Sequence, residues 1–145
     1  MSVPLVVVDT SVVIAHLTTA PEDTPNGRIL RACGTGSLRV ALSDAALKEL
    51  TEVVERLDRK GQIVSASRAF RAAIDLWSHG TLLHPDRLDW PTVVDRKDHW
   101  VLDLAWAATA DFIISLDPDL TEPMMPFPVE VLGPDELLTR LELSP

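Results

Sequence analysis

The sequence contains a single cysteine, Cys33, and no pattern through which cysteine or histidine usually binds a metal. One cysteine forms no internal disulfide, and without a C-x-x-C pair or a Cys/His array nothing indicates a zinc site. The apolar run over residues 3–8 stops at Asp9, which makes it too short for a signal peptide or a membrane span. We therefore expect a soluble, cytoplasmic protein with no membrane partner.

The motifs of several common α/β enzymes are also missing. Residues 34–36 read Gly-Thr-Gly, but they precede a predicted strand and are followed by no third glycine, so they do not fit a dinucleotide-binding turn. Neither G-x-x-x-x-G-K-[ST] nor G-x-S-x-G occurs. These absences leave P-loop and α/β-hydrolase chemistry without support.

The bulk composition predicts one folded domain. The chain has 145 residues, of which 46% are hydrophobic, enough to bury a core within a single domain over residues 1–145. Its net charge of −9 argues against binding nucleic acid by bulk electrostatics. One stretch is locally basic and could face RNA, although a solvated helical face is the commoner explanation. Its bases are Arg56, Arg59, Lys60, Arg68 and Arg71.

Apolar runs typical of strands alternate with helical patterns along the chain. We predict strands over residues 3–8, 38–42, 81–84, 112–116 and 129–132, and helices over 9–17, 28–33, 44–60, 65–79, 97–110 and 134–143, with irregular segments at 20–27 and 85–94. The uninterrupted β-branched runs indicate strands buried on both faces. The predicted fold class is α/β, a three-layer α/β/α domain with a central parallel sheet and right-handed crossovers.

Two aspartates follow predicted strands directly. Asp9 comes after the first strand, and Asp117 comes after the strand at residues 112–116. In an open parallel sheet, ligands bind outside the carboxyl ends of the strands, so both carboxylates should lie at one edge. A single aspartate in such a place is more often a turn or helix-cap residue. Two such aspartates at the same edge of the sheet favour a ligand-binding site there.

Helical spacing separates two further acids from their neighbours. In the helix at 44–60, Glu49 lies about 90° from the centre of the apolar stripe, whereas Glu52 and Glu55 lie about 150° away. In the helix at 97–110, Asp98 heads the core-facing series, and Asp103 is predicted to point away from it. A boundary position for Glu49 and a helix cap for Asp98 are the ordinary alternatives.

Bringing Asp9, Glu49, Asp98 and Asp117 together would be costly without cations, because close carboxylates repel one another. A site made of oxygen ligands without histidine suits Mg²⁺ or Mn²⁺. The sequence therefore predicts a divalent-metal site at the sheet edge.

Four segments, taken in order, resemble the PIN-domain family. Residues 5–11 hold a hydrophobic strand followed by D-T-S, and residues 42–50 end in the family's E-L pair. Residues 95–105 are similar to D-x-x-D-x-x-[VI]-L-x-x-A, and residues 110–120 to A-D-x-[IL]-[IV]-[TS]-x-D-x-D-[FL]. The resemblance covers nearly the whole chain.

The resemblance implies a ribonuclease that depends on magnesium or manganese, often the toxin of a bacterial toxin–antitoxin pair. For such a ribonuclease we expect single-stranded or looped RNA as the substrate, because these strands can thread an exposed groove. The resemblance also implies a homodimer and a cognate antitoxin as partner. The residues it assigns to the site are the catalytic and metal-binding quartet Asp9, Glu49, Asp98 and Asp117, the further metal ligand Asp119, and the auxiliary hydroxyls of Ser11 and Ser115.

Two other functions are compatible with parts of this pattern. A haloacid-dehalogenase-like phosphatase also has an aspartate after its first strand, but it requires a second one two residues later, where this chain has Ser11. A catalytically silent RNA-binding or protein-interaction module could share the same fold. Near the quartet, His99, Asp103 and Leu116 depart from the family pattern, so substrate access there could differ.

Overall fold

The structure, a computed structural model, describes residues 2–90, 99–117, 120 and 128–141. Its elements, in chain order, are β1 Leu5–Val8, α1 Thr10–Thr18, α2 Pro25–Thr35, β2 Arg39–Ser43, α3 Asp44–Arg59, α4 Ala66–Ser78, β3 Gly80–Leu83, α5 His99–Ala108, β4 Phe112–Ile114, β5 Glu130–Leu132 and α6 Pro134–Leu141. Strands and helices alternate as the apolar pattern predicts. Within the described residues, every helix is too short or too polar to cross a bilayer.

The five strands form one parallel sheet in the order β3-β2-β1-β4-β5. The chain moves outward from β1 to β3, then returns to place β4 on the other side of β1. The register pairs Val8 with Ile114, so β1 and β4 end side by side. A crevice forms where the strand order reverses, at the carboxyl ends of two such strands. The topology thus places the ends of β1 and β4 at this crevice.

Successive strand residues point into two separate cores. Val6 and Ile114 pack with α1, α2, α4 and α6, whereas Val7 and Ile113 pack with α5 on the other face of the sheet. This alternation follows from the two-residue period of a strand, and it explains why both faces must be apolar. Helices cover both faces of the sheet, which confirms the predicted three-layer α/β/α class.

The second helix begins earlier than the sequence suggested. Residues 20–27 were expected to be irregular, but α2 already begins at Pro25. The Thr24 hydroxyl accepts a hydrogen bond from Gly27 N–H at 3.2 Å, and Pro25 occupies the first helical position, where its missing N–H costs nothing. The helix ends with Gly36 in the left-handed region, at φ 81°.

The fifth helix ends earlier than predicted, at Ala108 rather than Ala110. Thr109 adopts a φ of 49°, and two hydrogen bonds close the helix, from Thr109 N–H to the Trp106 carbonyl and from Ala110 N–H to the Ala105 carbonyl. This is the Schellman pattern, which usually carries glycine at the left-handed position. A threonine there gives no stop signal in the sequence.

Asp103 is buried, although it points away from the core-facing series of α5 as predicted. Only 7% of the residue is exposed. The irregular segment after β3 covers this flank of the helix, and Asp103 accepts hydrogen bonds from it. Helical periodicity describes one apolar face, and it does not reveal which other segments pack against the remaining faces.

Candidate active site

A cleft opens at the carboxyl ends of the strands, where the strand order reverses. It has a volume of about 1300 Å³ and is lined by residues of α1, α3 and α5 and of the segments that follow β3 and β4. Asp9, Glu49 and Asp117 all line it. The other two acids of the predicted site, Asp98 and Asp119, lie outside the described residues. The structure therefore brings three of the four predicted quartet members to one cleft.

Two serine hydroxyls hold the carboxylate of Asp9. This aspartate directly follows β1, and only 7% of it is exposed. Its Oδ2 accepts hydrogen bonds from Ser11 Oγ at 2.8 Å and from Ser115 Oγ at 2.7 Å. Within the described part of the chain, Asp9 Oδ1 accepts no hydrogen bond, and the carboxylate forms no salt bridge. Its negative charge is therefore oriented by neutral groups and is not neutralised by them.

The same two serines accept hydrogen bonds from the backbone that follows β4. Leu116 N–H donates to Ser11 Oγ at 3.1 Å, and Asp117 N–H donates to Ser115 Oγ at 3.0 Å. Each hydroxyl thus donates to Asp9 and accepts from the main chain, so its proton has one orientation. The network joins the first turn of α1 to the chain after β4. It fixes Asp9 and the backbone of Asp117 relative to each other.

Glu49 reaches the cleft from the second turn of α3. Its Oε2 accepts hydrogen bonds from Thr10 Oγ1 and, at 2.8 Å, from Trp100 Nε1. Both donors are neutral, and no described residue donates to Oε1. The position of Glu49 at the edge of the apolar stripe agrees with the predicted boundary position. The contact from Trp100 was not predicted.

The donor chemistry of these acids fits a hard divalent cation. Asp9 and Glu49 each engage one oxygen with neutral donors and keep the other for a ligand, and carboxylate oxygens are what Mg²⁺ and Mn²⁺ prefer. Among the described residues, no three His, Cys, Asp or Glu side chains lie close enough to hold a metal ion. A ligand set drawn from Asp9, Glu49 and Asp117 alone would therefore need their side chains to move together.

The five bases predicted as an RNA surface do not act as one group. Arg56 lines the cleft, but Arg59, Lys60, Arg68 and Arg71 do not. The guanidinium of Arg68 donates to three backbone carbonyls, of residues 16, 19 and 20, and so joins α4 to the end of α1. Its role is structural, because these bonds satisfy carbonyls at a helix end.

Two cleft bases were missed by the sequence analysis. Lys48 and Arg87 line the cleft beside Arg56. Lys48 could have been found, since it lies eight residues before Arg56 and therefore on the same face of α3. Arg87 lies in an irregular segment that has no periodicity to indicate its direction. The cleft thus carries basic side chains on two sides of its acids.

Neither phosphatase chemistry at Asp9 nor thiol chemistry at Cys33 is favoured by the structure. The side chain two residues after Asp9 is the Ser11 hydroxyl, which donates to Asp9 where a phosphatase of the haloacid-dehalogenase type needs an acid. Cys33 is buried, and desolvation raises the pKa of its thiol to about 12, so it is no nucleophile.

Comparison with known protein families supports the resemblance. A family model described as PIN domain matches residues 5–119 of the chain. The matched region begins with β1 and contains all four positions of the predicted quartet. No curated protein matches the chain.

Proposed function

From the premise that this chain belongs to the PIN-domain family, we propose that it is a divalent-metal-dependent endoribonuclease. PIN domains are generally nucleases and typically use divalent metals. Membership supports nuclease chemistry in general. The choice of Mg²⁺ or Mn²⁺, of RNA as substrate, and of Asp9, Glu49, Asp98 and Asp117 as the catalytic quartet is our proposal.

One observation carries the proposal. The carboxylate of Asp9 sits at the switch point of the sheet, buried and oriented by two hydroxyls, with Glu49 and Asp117 lining the same cleft. Burying a carboxylate without a cationic partner is costly, and a cationic ligand bound at this edge of the sheet would offset that cost. A divalent cation is the simplest such ligand.

In this proposal the acidic residues of the cleft are the metal ligands. Asp9, Glu49 and Asp117 would hold the metal, together with Asp98 and Asp119, which we assign from the sequence. When bound, Mg²⁺ or Mn²⁺ lowers the pKa of an attacking water and stabilises charge at the leaving oxygen.

The remaining cleft residues orient the acids and the substrate. Ser11 and Ser115 keep Asp9 in one rotamer, so its carboxylate does not have to reorient during turnover. Lys48, Arg56 and Arg87 offer cations to the phosphates of an RNA strand that lies in the cleft. The bases thus offset, near the site, the repulsion expected from a net charge of −9.

The experiment is RNA cleavage by matched carboxylate variants. We expect Asp9→Asn and Asp117→Asn each to lower kcat on a fluorogenic single-stranded RNA about a thousandfold in Mg²⁺, because each removes a charge from the site. Asp58→Asn, on an exposed face of α3, is the control and should be fully active. Unchanged cleavage by the Asp9 variant, or full activity in excess EDTA, would reject the proposal.

A catalytically silent module is the second candidate, and it is favoured by the lack of a ready three-ligand cluster among the described residues. Titration calorimetry with Mn²⁺ separates the two. Binding that is lost in Asp9→Asn supports the nuclease, whereas no binding to the native chain supports the silent module. From length and composition we further propose a single domain over residues 1–145. From the resemblance alone we propose a homodimer and a role as the toxin of a toxin–antitoxin pair.

A further inference from the structure

One side of the cleft is an irregular segment, residues 84–90, which we call the wall. It follows β3 and contributes Arg87 to the cleft lining. Within the described part of the chain, two hydrogen bonds hold the wall, and both end on Asp103 Oδ1. Leu88 N–H donates to it at 3.0 Å, and Trp90 Nε1 donates to it at 2.8 Å. A single carboxylate oxygen therefore accepts both hydrogen bonds, which act together with the core packing of Trp90 and a 4.0 Å contact between His84 Nδ1 and Asp44 Oδ2.

We call the two hydrogen bonds to Asp103 the tether, and they lie at the edge of the cleft. Asp103 and Trp90 are both buried, and Trp90 also packs edge-on against the ring of Trp106, with centroids 6.3 Å apart. Asp103 itself lines the cleft, beside the wall that it holds. The base of the wall is thus packed against α5, and the exposed residues between Pro85 and Trp90 precede it in the chain.

Arg87 is the group on the wall that suits a polyanion. It is exposed and lines the cleft, and among the described residues its guanidinium forms no ion pair. Lys48 and Arg56 line the cleft from α3. Because the chain as a whole is strongly acidic, a phosphate strand can approach only where such local cations border the site.

We propose that Asp103 is a positioning residue, which holds the wall so that Arg87 binds a backbone phosphate of the polynucleotide in the cleft. This inference rests on the proposed nuclease function. It assigns substrate affinity to the wall and leaves the chemical step to the acids at the strand ends. Loss of the tether should therefore raise KM and leave kcat nearly unchanged.

Steady-state kinetics of four variants test this division. Arg87→Gln removes the cation, and we expect KM for single-stranded RNA to rise about tenfold, the size of one charge-assisted phosphate contact. Asp103→Ala removes the tether and should raise KM by a similar factor. Asp103→Asn keeps an accepting oxygen and should restore KM to near the native value. Asp86→Ala, an exposed acid on the same segment outside the cleft lining, is the matched control.

The double variant decides whether Asp103 acts through Arg87. If it does, Asp103→Ala combined with Arg87→Gln raises KM no further than the larger single change. The inference would be overturned if the two single increases in KM multiplied in the double variant. It would also be overturned if Asp103→Ala lowered kcat and left KM unchanged. Should Asp103→Ala not fold, Trp90→Phe takes its place, since it keeps an aromatic ring and deletes one of the two donors.

Hydrogen exchange at the Leu88 amide gives a readout that does not depend on activity. Asp103→Ala should speed exchange at this amide at least about tenfold, and Asp103→Asn should not. The inference is refuted if Asp103→Ala speeds exchange at the Leu88 amide but leaves KM unchanged. The nuclease function still stands in that case, provided that Asp9→Asn abolishes cleavage.

If the native chain does not cleave RNA, the proposed function fails. Fluorescence polarisation with a labelled RNA oligonucleotide then tests the role of the wall in binding. Weaker binding by both Arg87→Gln and Asp103→Ala than by the native chain supports the inference, and equal binding refutes it.

Discussion

The two sides of the cleft are built in different ways. At the strand ends, which we call the floor, Asp9 is bound by two serine hydroxyls that are themselves fixed by backbone N–H groups. On the wall, two donors depend on one oxygen of Asp103. The floor is attached to the central strands of the sheet, whereas the wall follows the edge strand β3.

For the proposed ribonuclease, this difference would separate two requirements. Charges that must stay in a fixed place for catalysis belong on regular elements, where several bonds hold each side chain. Contacts to a flexible strand of RNA can belong to an irregular segment, since such a segment tolerates change without disturbing the sheet. Variants that weaken each side by one hydrogen bond should therefore change different kinetic constants.

The largest effect beyond the acids themselves should come from the floor serines. We expect Ser11→Ala combined with Ser115→Ala to lower kcat about a hundredfold, because Asp9 loses both donors that set its rotamer. Each single variant should lose about tenfold. The measurement is single-turnover cleavage at saturating RNA, with Ser67→Ala on the exposed face of α4 as the control. A double variant with a raised KM and native kcat would contradict the separation of the two sides.

A matched pair of tryptophans gives a sharper comparison. Trp100 donates its indole N–H to Glu49 of the site, and Trp90 donates the same group to Asp103 of the tether, both at 2.8 Å. We expect Trp100→Phe to lower kcat up to about tenfold and Trp90→Phe to raise KM a few-fold, since each deletes one donor to a carboxylate. Both variants should be compared by initial rates over a range of RNA concentrations. Identical effects on the same constant would show that the cleft does not divide in this way.

The sequence predicted the floor because its signals are local. An apolar run followed by Asp9, and another followed closely by Asp117, is enough to place both residues at one edge of a parallel sheet. The position of Glu49 likewise followed from the apolar stripe of its own helix. These predictions required no knowledge of distant contacts.

The wall could not be predicted, since it depends on contacts between segments with no common period. Asp103 occupies a position outside the apolar series of α5, and its burial comes from Leu88 and Trp90 in an irregular segment. The end of α5 was missed because Thr109 stands where glycine usually marks the end of a helix. The early start of α2 was readable from local signals, since Thr24 and Pro25 are residue types that usually cap and begin a helix.

The smallest predicted effect lies away from both sides of the cleft, at His16 on α1. This histidine is buried, and its Nδ1 has no hydrogen-bond partner among the described residues. Desolvation, and then repulsion from Arg68, lowers the pKa of His16 below 6.5. The unfolded chain therefore takes up a proton below about pH 6.5 that the folded chain does not, so the free energy of unfolding falls as the pH decreases through this range.

His16→Leu should remove this contribution. One proton limits the slope to less than about 1.4 kcal/mol per pH unit, and we expect the native chain to lose stability faster than the variant between pH 6.5 and the lowered pKa of His16. Urea unfolding at a series of pH values measures the difference, with His79→Leu, an exposed histidine, as the control. Because His16 lies outside the cleft lining, kcat and KM at pH 8 should stay native. If the free energy of unfolding changes with pH in parallel for the native chain and His16→Leu, the buried imidazole does not cause the loss of stability in acid. Other titratable groups would then be responsible.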